Sequence, residues 1–140
     1  MTGTTLRQAT AVSIEGRGML IEGSPGAGKT SLALTLIDRG AMLIGDDGVT
    51  LDVQNGRLHA SPPPNTEGLI EIRNVGIAAL PVTDAPVCLV LALTVDAPRY
   101  VEQAEIIDIE GHAIPRLQFD PRLSPAATRV HWAMRIHGLP

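Results

Sequence analysis

Lysine is almost absent from this chain: ten of its eleven cationic residues are arginine, and Lys29 is the single lysine. Aromatic residues are as scarce, with one Phe119, one Trp132 and one Tyr100, so the core must be aliphatic. The one cysteine, Cys88, lies in an apolar run. That excludes an internal disulfide and suits a small buried hydrophobe. No apolar run is long enough to cross a bilayer; the longest, Pro86 to Val95, falls well short of the roughly 20 residues a spanning helix needs. Met1-Thr2-Gly3-Thr4-Thr5 lacks the charged and apolar regions of a secretion signal. The net charge is -4, and no basic stripe with interleaved aromatics is present, which argues against a nucleic-acid partner. These absences lead us to expect a cytoplasmic protein with no membrane partner, folded as one domain over residues 1–140.

The lone lysine sits in Gly23-Ser24-Pro25-Gly26-Ala27-Gly28-Lys29-Thr30. Arginine is a rigid planar fork, whereas lysine is a compact charge on a flexible stem. A phosphate-binding loop needs the compact charge, reaching between the β- and γ-phosphates of a nucleotide. Every fixed position of the P-loop motif is filled. The context also fits, because the apolar Met19-Leu20-Ile21 enters the loop and an amphipathic helix leaves it. Glycines let backbone N–H groups approach phosphate oxygens, and the helix N-terminus adds positive potential. The Thr30 hydroxyl would ligate Mg²⁺. The bland alternative is a Gly-rich turn that happens to contain Lys and Thr.

Around this loop the pattern predicts strands at Thr10–Ile14 and Arg17–Glu22 and a helix at Thr30–Arg39. In that helix Leu32 and Leu36, and Ala33 and Ile37, share a face. Gly40 suits the position just past its end. Further strands are expected at Ala41–Ile44, Leu69–Arg73 and Val87–Thr94. Val49–Val53 and Arg57–Ala60 flank Asn55-Gly56, a strong hairpin signal. A second hairpin, Glu105–Ile109 and Ala113–Phe119, turns at Glu110-Gly111. Ser124 can N-cap a last helix running to about Ile136. The fold class is α/β: a P-loop domain with a mixed sheet, more antiparallel than a Rossmann fold, a P-loop helix and a C-terminal helix.

Asp46 and Asp47 follow a strand expected beside the P-loop strand. Ligands of open α/β sheets bind at the carboxyl ends of strands. Adjacent residues of an extended chain point to opposite faces. One Asp would therefore face an acceptor and the other the metal shell or a backbone anchor; a solvated turn is the alternative. Glu71 and Arg73 fall on one face of Leu69–Arg73. They fit a metal ligand with a phosphate clamp, and equally a solvated strand face. His59, His112, His131 and His137 form no metal signature. Arg122, Arg129 and Arg135 suit either a docking face for an acidic partner or a solvated helix face.

Three segments together resemble the catalytic domain of the HPr kinase/phosphorylase family, in its short single-domain form: the P-loop and helix from Gly23, Ala41-Met42-Leu43-Ile44-Gly45-Asp46-Asp47, and Glu71-Ile72-Arg73-Asn74-Val75-Gly76-Ile77. The resemblance runs from about Gln8 to Leu80. It implies a fold akin to phosphoenolpyruvate carboxykinase. It implies an ATP-dependent, Mg²⁺-dependent kinase acting on a serine of HPr or an HPr-like phosphocarrier of the sugar phosphotransferase system. Family members also remove that phosphate, and they form hexamers. By the resemblance Lys29 holds the β- and γ-phosphates, and Thr30, Asp47 and Glu71 lie near the metal. Asp46 is the base toward the serine, and Arg73 positions acceptor or phosphate. The chain departs from the family pattern at Gln8, where a histidine is common, and at Asn74, where the signature has glycine. Arg129 and His131 compete for the place of a C-terminal arginine. The rival readings are a nucleotide-binding sensor without transfer activity and a small-molecule P-loop kinase. A GTPase is disfavoured, because one lysine cannot supply both the P-loop and an Asn-Lys-x-Asp motif.

Overall fold

The computed structural model describes residues 3–140. Its centre is a curled sheet whose longest strand, β9 (Ala85–Leu93), carries three neighbours. Strand β3 (Arg17–Glu22) runs parallel to it over Gly18–Glu22. Strand β6 (Arg57–Ser61) pairs antiparallel with its start, and β11 (His112–Phe119) pairs parallel with its end. From β9 the sheet extends through β3 to β2 (Thr10–Ile14) and β4 (Met42–Gly45). In the other direction it passes through β6 to β5 (Val49–Gln54) and β1 (Thr5–Arg7), while β10 (Glu105–Ile109) pairs with β11. A separate hairpin, β7 (Leu69–Ile72) and β8 (Gly76–Ala79), stands apart from the main sheet.

The central strands are buried on both faces, which explains their near-continuous apolar sequences. Alternation divides them between two cores. Val12, Met19, Ile21, Leu89 and Leu91 face the helices α1 (Lys29–Ile37) and α2 (Ala126–His137), meeting Leu32, Leu36, Val130 and Met134. Ala11, Leu20, Val87 and Val90 face the other way, against Val49, Leu51, Leu58, Ile109 and Ile114. Phe119 is the only aromatic residue in either core; Trp132 and Tyr100 are exposed. Cys88 is fully buried.

Both predicted hairpins form, with Asn55 and Gly56 at φ 53° and 75° in the first turn. Three expectations are corrected, and two strands were not expected. The strand carrying the acidic pair is not beside the loop strand: β2 lies between β4 and β3. An antiparallel hairpin partner has filled the place a Rossmann-type crossover would leave open. Arg73 lies past the end of β7, in the turn to β8, a strand the sequence reading missed along with β1. Ser124 does not cap α2, whose N-cap residue is Pro125, without a side-chain cap. Arg129 instead braces that approach, donating to the carbonyls of Asp120 (3.0 Å) and Leu123 (2.9 Å).

Candidate active site

Strand β3 delivers the chain into the loop Gly23–Gly28 at the end of the sheet. Gly28 has φ 102° and is the N-cap of α1, and no side chain caps this helix. A residue with a Cβ is strained there, and the first N–H groups of α1 have no side-chain acceptor. The Lys29 Nζ turns back over its own loop, donating to the carbonyls of Gly23 (2.8 Å) and Ser24 (3.2 Å). Thr30 points its hydroxyl across to β4, where Oγ1 donates to Asp46 Oδ1 at 2.9 Å.

The acidic pair sits at a tight turn. A Cβ on Gly45 would lie 2.2 Å from the Gly48 carbonyl oxygen, so this position tolerates glycine alone. Asp47 adopts φ 64°, an uncommon conformation that Asp accepts better than most residues. Asp46 is half-buried and Asp47 exposed. The β7–β8 hairpin closes the other side. Its turn is fastened by the Val75 N–H on the Ile72 carbonyl at 2.9 Å, with Asn74 at φ 67°. Asn enters the left-handed region more readily than other non-glycine residues, so the chain turns here without a glycine at position 74.

These elements enclose a cleft of about 900 Å³ lined by Gly26, Gly28, Lys29, Thr30, Asp46, Asp47, Glu71 and Arg73, among others. Glu71 and Arg73 thus line the same cleft as the loop, although Arg73 lies in the turn. A second cleft of about 800 Å³ shares Asp46, Asp47 and Glu71 and is otherwise walled by residues such as Leu6, Gln8, Pro63 and Leu69. The acidic pair therefore borders both. Neither Arg129 nor His131 lines either cleft. Arg129 lies over the Phe119 ring, 4.2 Å from its centroid, and His131 Nε2 is buried without a partner.

Two features escaped the sequence reading. Thr10 at the start of β2 is buried and donates to Asp46 Oδ1 at 3.2 Å; no motif marks it. Beside Gly28, the segment after β11 holds Asp120, whose carboxylate takes bonds from the Arg122 side chain and backbone N–H. The Arg122 side-chain bond, and then its N–H, hold the Asp120 pKa at about 2.

Among the described residues no cluster of three or more His, Cys, Asp or Glu side chains is placed to hold a metal. The oxygen donors present, a hydroxyl on Thr30 and carboxylates at the β4 end, nonetheless suit Mg²⁺. That ion ordinarily takes one or two carboxylates and completes its shell with phosphate and water.

The fold and the cleft define a class: a curled, mixed α/β domain with a polar cleft where β3 and β4 end. The HPr Serine kinase C-terminal domain model matches residues 1–83. An HPr kinase/phosphorylase of Clostridium novyi is 35% identical over 99 residues, 71% of this chain and 32% of that protein. One from Brevibacillus brevis is 44% identical over 75 residues, 53% of this chain and 24% of that protein. The solved Hpr(Ser) kinase/phosphatase from Coxiella burnetii superposes with a TM-score of 0.79 at 25% identity, covering 94% of this chain and 92% of that one. The chain belongs to the HPr serine kinase C-terminal domain family. It spans about a third or less of the length of these two curated relatives.

Proposed function

We propose that this domain is an ATP- and Mg²⁺-dependent serine protein kinase, acting on HPr or an HPr-like phosphocarrier of the sugar phosphotransferase system and so regulating carbon metabolism. One observation carries the reading: Lys29, Thr30, the Asp46-Asp47 pair, Glu71 and Arg73 line a single cleft. The loop is read as a P-loop and the fold as akin to phosphoenolpyruvate carboxykinase. The backbone of Gly23, Ser24, Pro25, Gly26, Ala27 and Gly28 cradles the phosphates, with Lys29 on the β- and γ-oxygens. Thr30, Asp47 and Glu71 form the metal's protein neighbourhood, and Arg73 steadies the acceptor or the phosphoryl group. Mg²⁺ would be held there by Thr30, Asp47 and Glu71 and would supply neutralisation of the charge that develops on the transferred phosphoryl group.

Asp46 serves as the base. Both hydroxyl bonds fall on its Oδ1, leaving Oδ2 for the acceptor. The serine oxygen forms its bond to the γ-phosphorus as the bond to the β,γ-bridging oxygen breaks, and the serine proton passes to Asp46. The second cleft, bordered by the same carboxylate, supports entry of the acceptor by way of that cleft. Gln8 stands in that cleft and cannot change charge near neutral pH as histidine can, so the kinase direction is the one proposed. Gln8 also favours the second reading, a nucleotide sensor without transfer. A hexamer, by family resemblance, is the proposed assembly.

Incubation with Mg-ATP and HPr, followed by phosphoserine mapping, tests the reading. Phosphoserine on HPr is expected. Bound nucleotide without transfer would favour the sensor.

A further inference from the structure

We propose that Thr10 is a positioning residue that holds both aspartates in the geometry phosphoryl transfer requires; this rests on the kinase reading above. Thr10 is 1% exposed, one of three buried polar or charged residues among those described. Its Oγ1 donates to Asp46 Oδ1 at 3.2 Å and accepts the Asp47 backbone N–H at 3.4 Å. A hydroxyl has one proton and two lone pairs, so it can make both bonds at once. Thr10 therefore contacts each member of the acidic pair in a different way, orienting the carboxylate of one and fastening the backbone of the other.

The sheet explains how it reaches them. In the antiparallel β2–β4 pair Ala11 lies opposite Gly45, and the register shifts between Ala11 and Val12. Thr10 thus falls level with the end of β4, beside an irregularity of the kind that re-aims side chains near active sites. The bond to the Asp47 N–H matters because Asp47 is held at φ 64°. Such a conformation persists only where surrounding contacts over-determine it. Thr30 supplies the second hydroxyl on Asp46 from α1. The carboxylate is held from two independent elements, and only one of them belongs to the glycine-rich motif.

Thr10→Val keeps the branched shape and removes the hydroxyl, whereas Thr10→Ser keeps the hydroxyl. The readouts are Mn²⁺ binding with adenosine imidotriphosphate, followed by electron paramagnetic resonance, and steady-state transfer to HPr. In Thr10→Val both Mn²⁺ affinity and kcat should fall about tenfold or more, as expected when bonds to a charged group are lost. The loss should fall on kcat more than on the KM for nucleotide, and Thr10→Ser should recover most of it. A folded Thr10→Val with Mn²⁺ affinity and kcat both within about twofold of wild type overturns the proposal. If Thr10→Val does not fold, amide exchange of Asp47 in the wild-type protein decides. Protection supports the Thr10 bond, and exchange at the rate of a free amide overturns it. Wild-type protein that never phosphorylates HPr would overturn the kinase reading alone, because the Mn²⁺ titration needs no acceptor.

Discussion

Thr30 Oγ1 donates to Asp46 Oδ1 across 2.9 Å, tying the first turn of α1 to the end of β4. A hydroxyl that gives its proton to a carboxylate keeps its lone pairs for a cation. One bond thus orients both partners. Thr30→Val should weaken metal-dependent nucleotide binding by roughly tenfold to a hundredfold, the range for a lost bond to a charged group, while Thr30→Ser should stay near wild type. Calorimetric titration of ATP with and without Mg²⁺ checks this.

Lys29 reaches two carbonyls of its own loop with one compact ammonium. Removing a preorganised charge at a phosphoryl site costs kcat roughly a hundredfold or more, and Lys29→Ala should show that loss. Lys29→Arg should not rescue it, because the planar guanidinium cannot take the place of a point charge in so tight a loop. Steady-state transfer rates of both variants provide the comparison.

Asp120 gives a stability effect with a defined sign. Its pKa is lowered from the ordinary 3.8 to about 2, first by the Arg122 side-chain bond. A depressed carboxyl pKa stabilises the fold fully above 3.8, and that contribution is lost as pH falls through 2. Asp120→Asn should therefore lower Tm at neutral pH and converge on wild type near pH 2. Arg122→Ala should return the Asp120 carboxyl toward its ordinary range, read by carboxyl NMR titration. The Arg122 side chain is 65% exposed, so salt should reduce the effect.

The core makes a larger demand. Leu36 is fully buried where α1 meets the sheet. Leu36→Ala should cost about 2–5 kcal/mol, the range for truncating a buried leucine. Denaturant unfolding measures it. A cost under about 1 kcal/mol would mean that this face of α1 collapses to fill the space.

Much of this was legible in the residues. Short apolar segments either side of Glu15-Gly16 marked β2 and β3, the Asn55-Gly56 pair marked its hairpin, and the glycine spacing located the loop that α1 follows. Strand order was not legible, because apolar runs such as Met42–Gly45 and Ala85–Leu93 fit several neighbours equally well. That is why β2 was not expected between the loop strand and the acidic strand. The same insertion hid Thr10, whose partner Asp46 lies far along the chain and is set opposite it by sheet register. Arg73 and β8 were misjudged because Asn74 can turn the chain at positive φ without the glycine that usually signals it. In sequence Arg129 only competed with His131 for the place of a C-terminal arginine; the backbone carbonyls it braces are invisible there.

Asp46 is the residue on which phosphoryl transfer most directly depends. Wild-type protein and Asp46→Asn are each incubated with Mg-ATP and HPr, nucleotide affinity is measured alongside, and phosphoserine is mapped and quantified by mass spectrometry. Wild-type protein should leave a single phosphoserine on HPr. Asp46→Asn should lose that product by about a hundredfold or more while still binding nucleotide, as expected for loss of a general base. Undiminished phosphoserine with Asp46→Asn would contradict the assignment of the base, and no phosphoserine with wild-type protein would contradict the kinase itself.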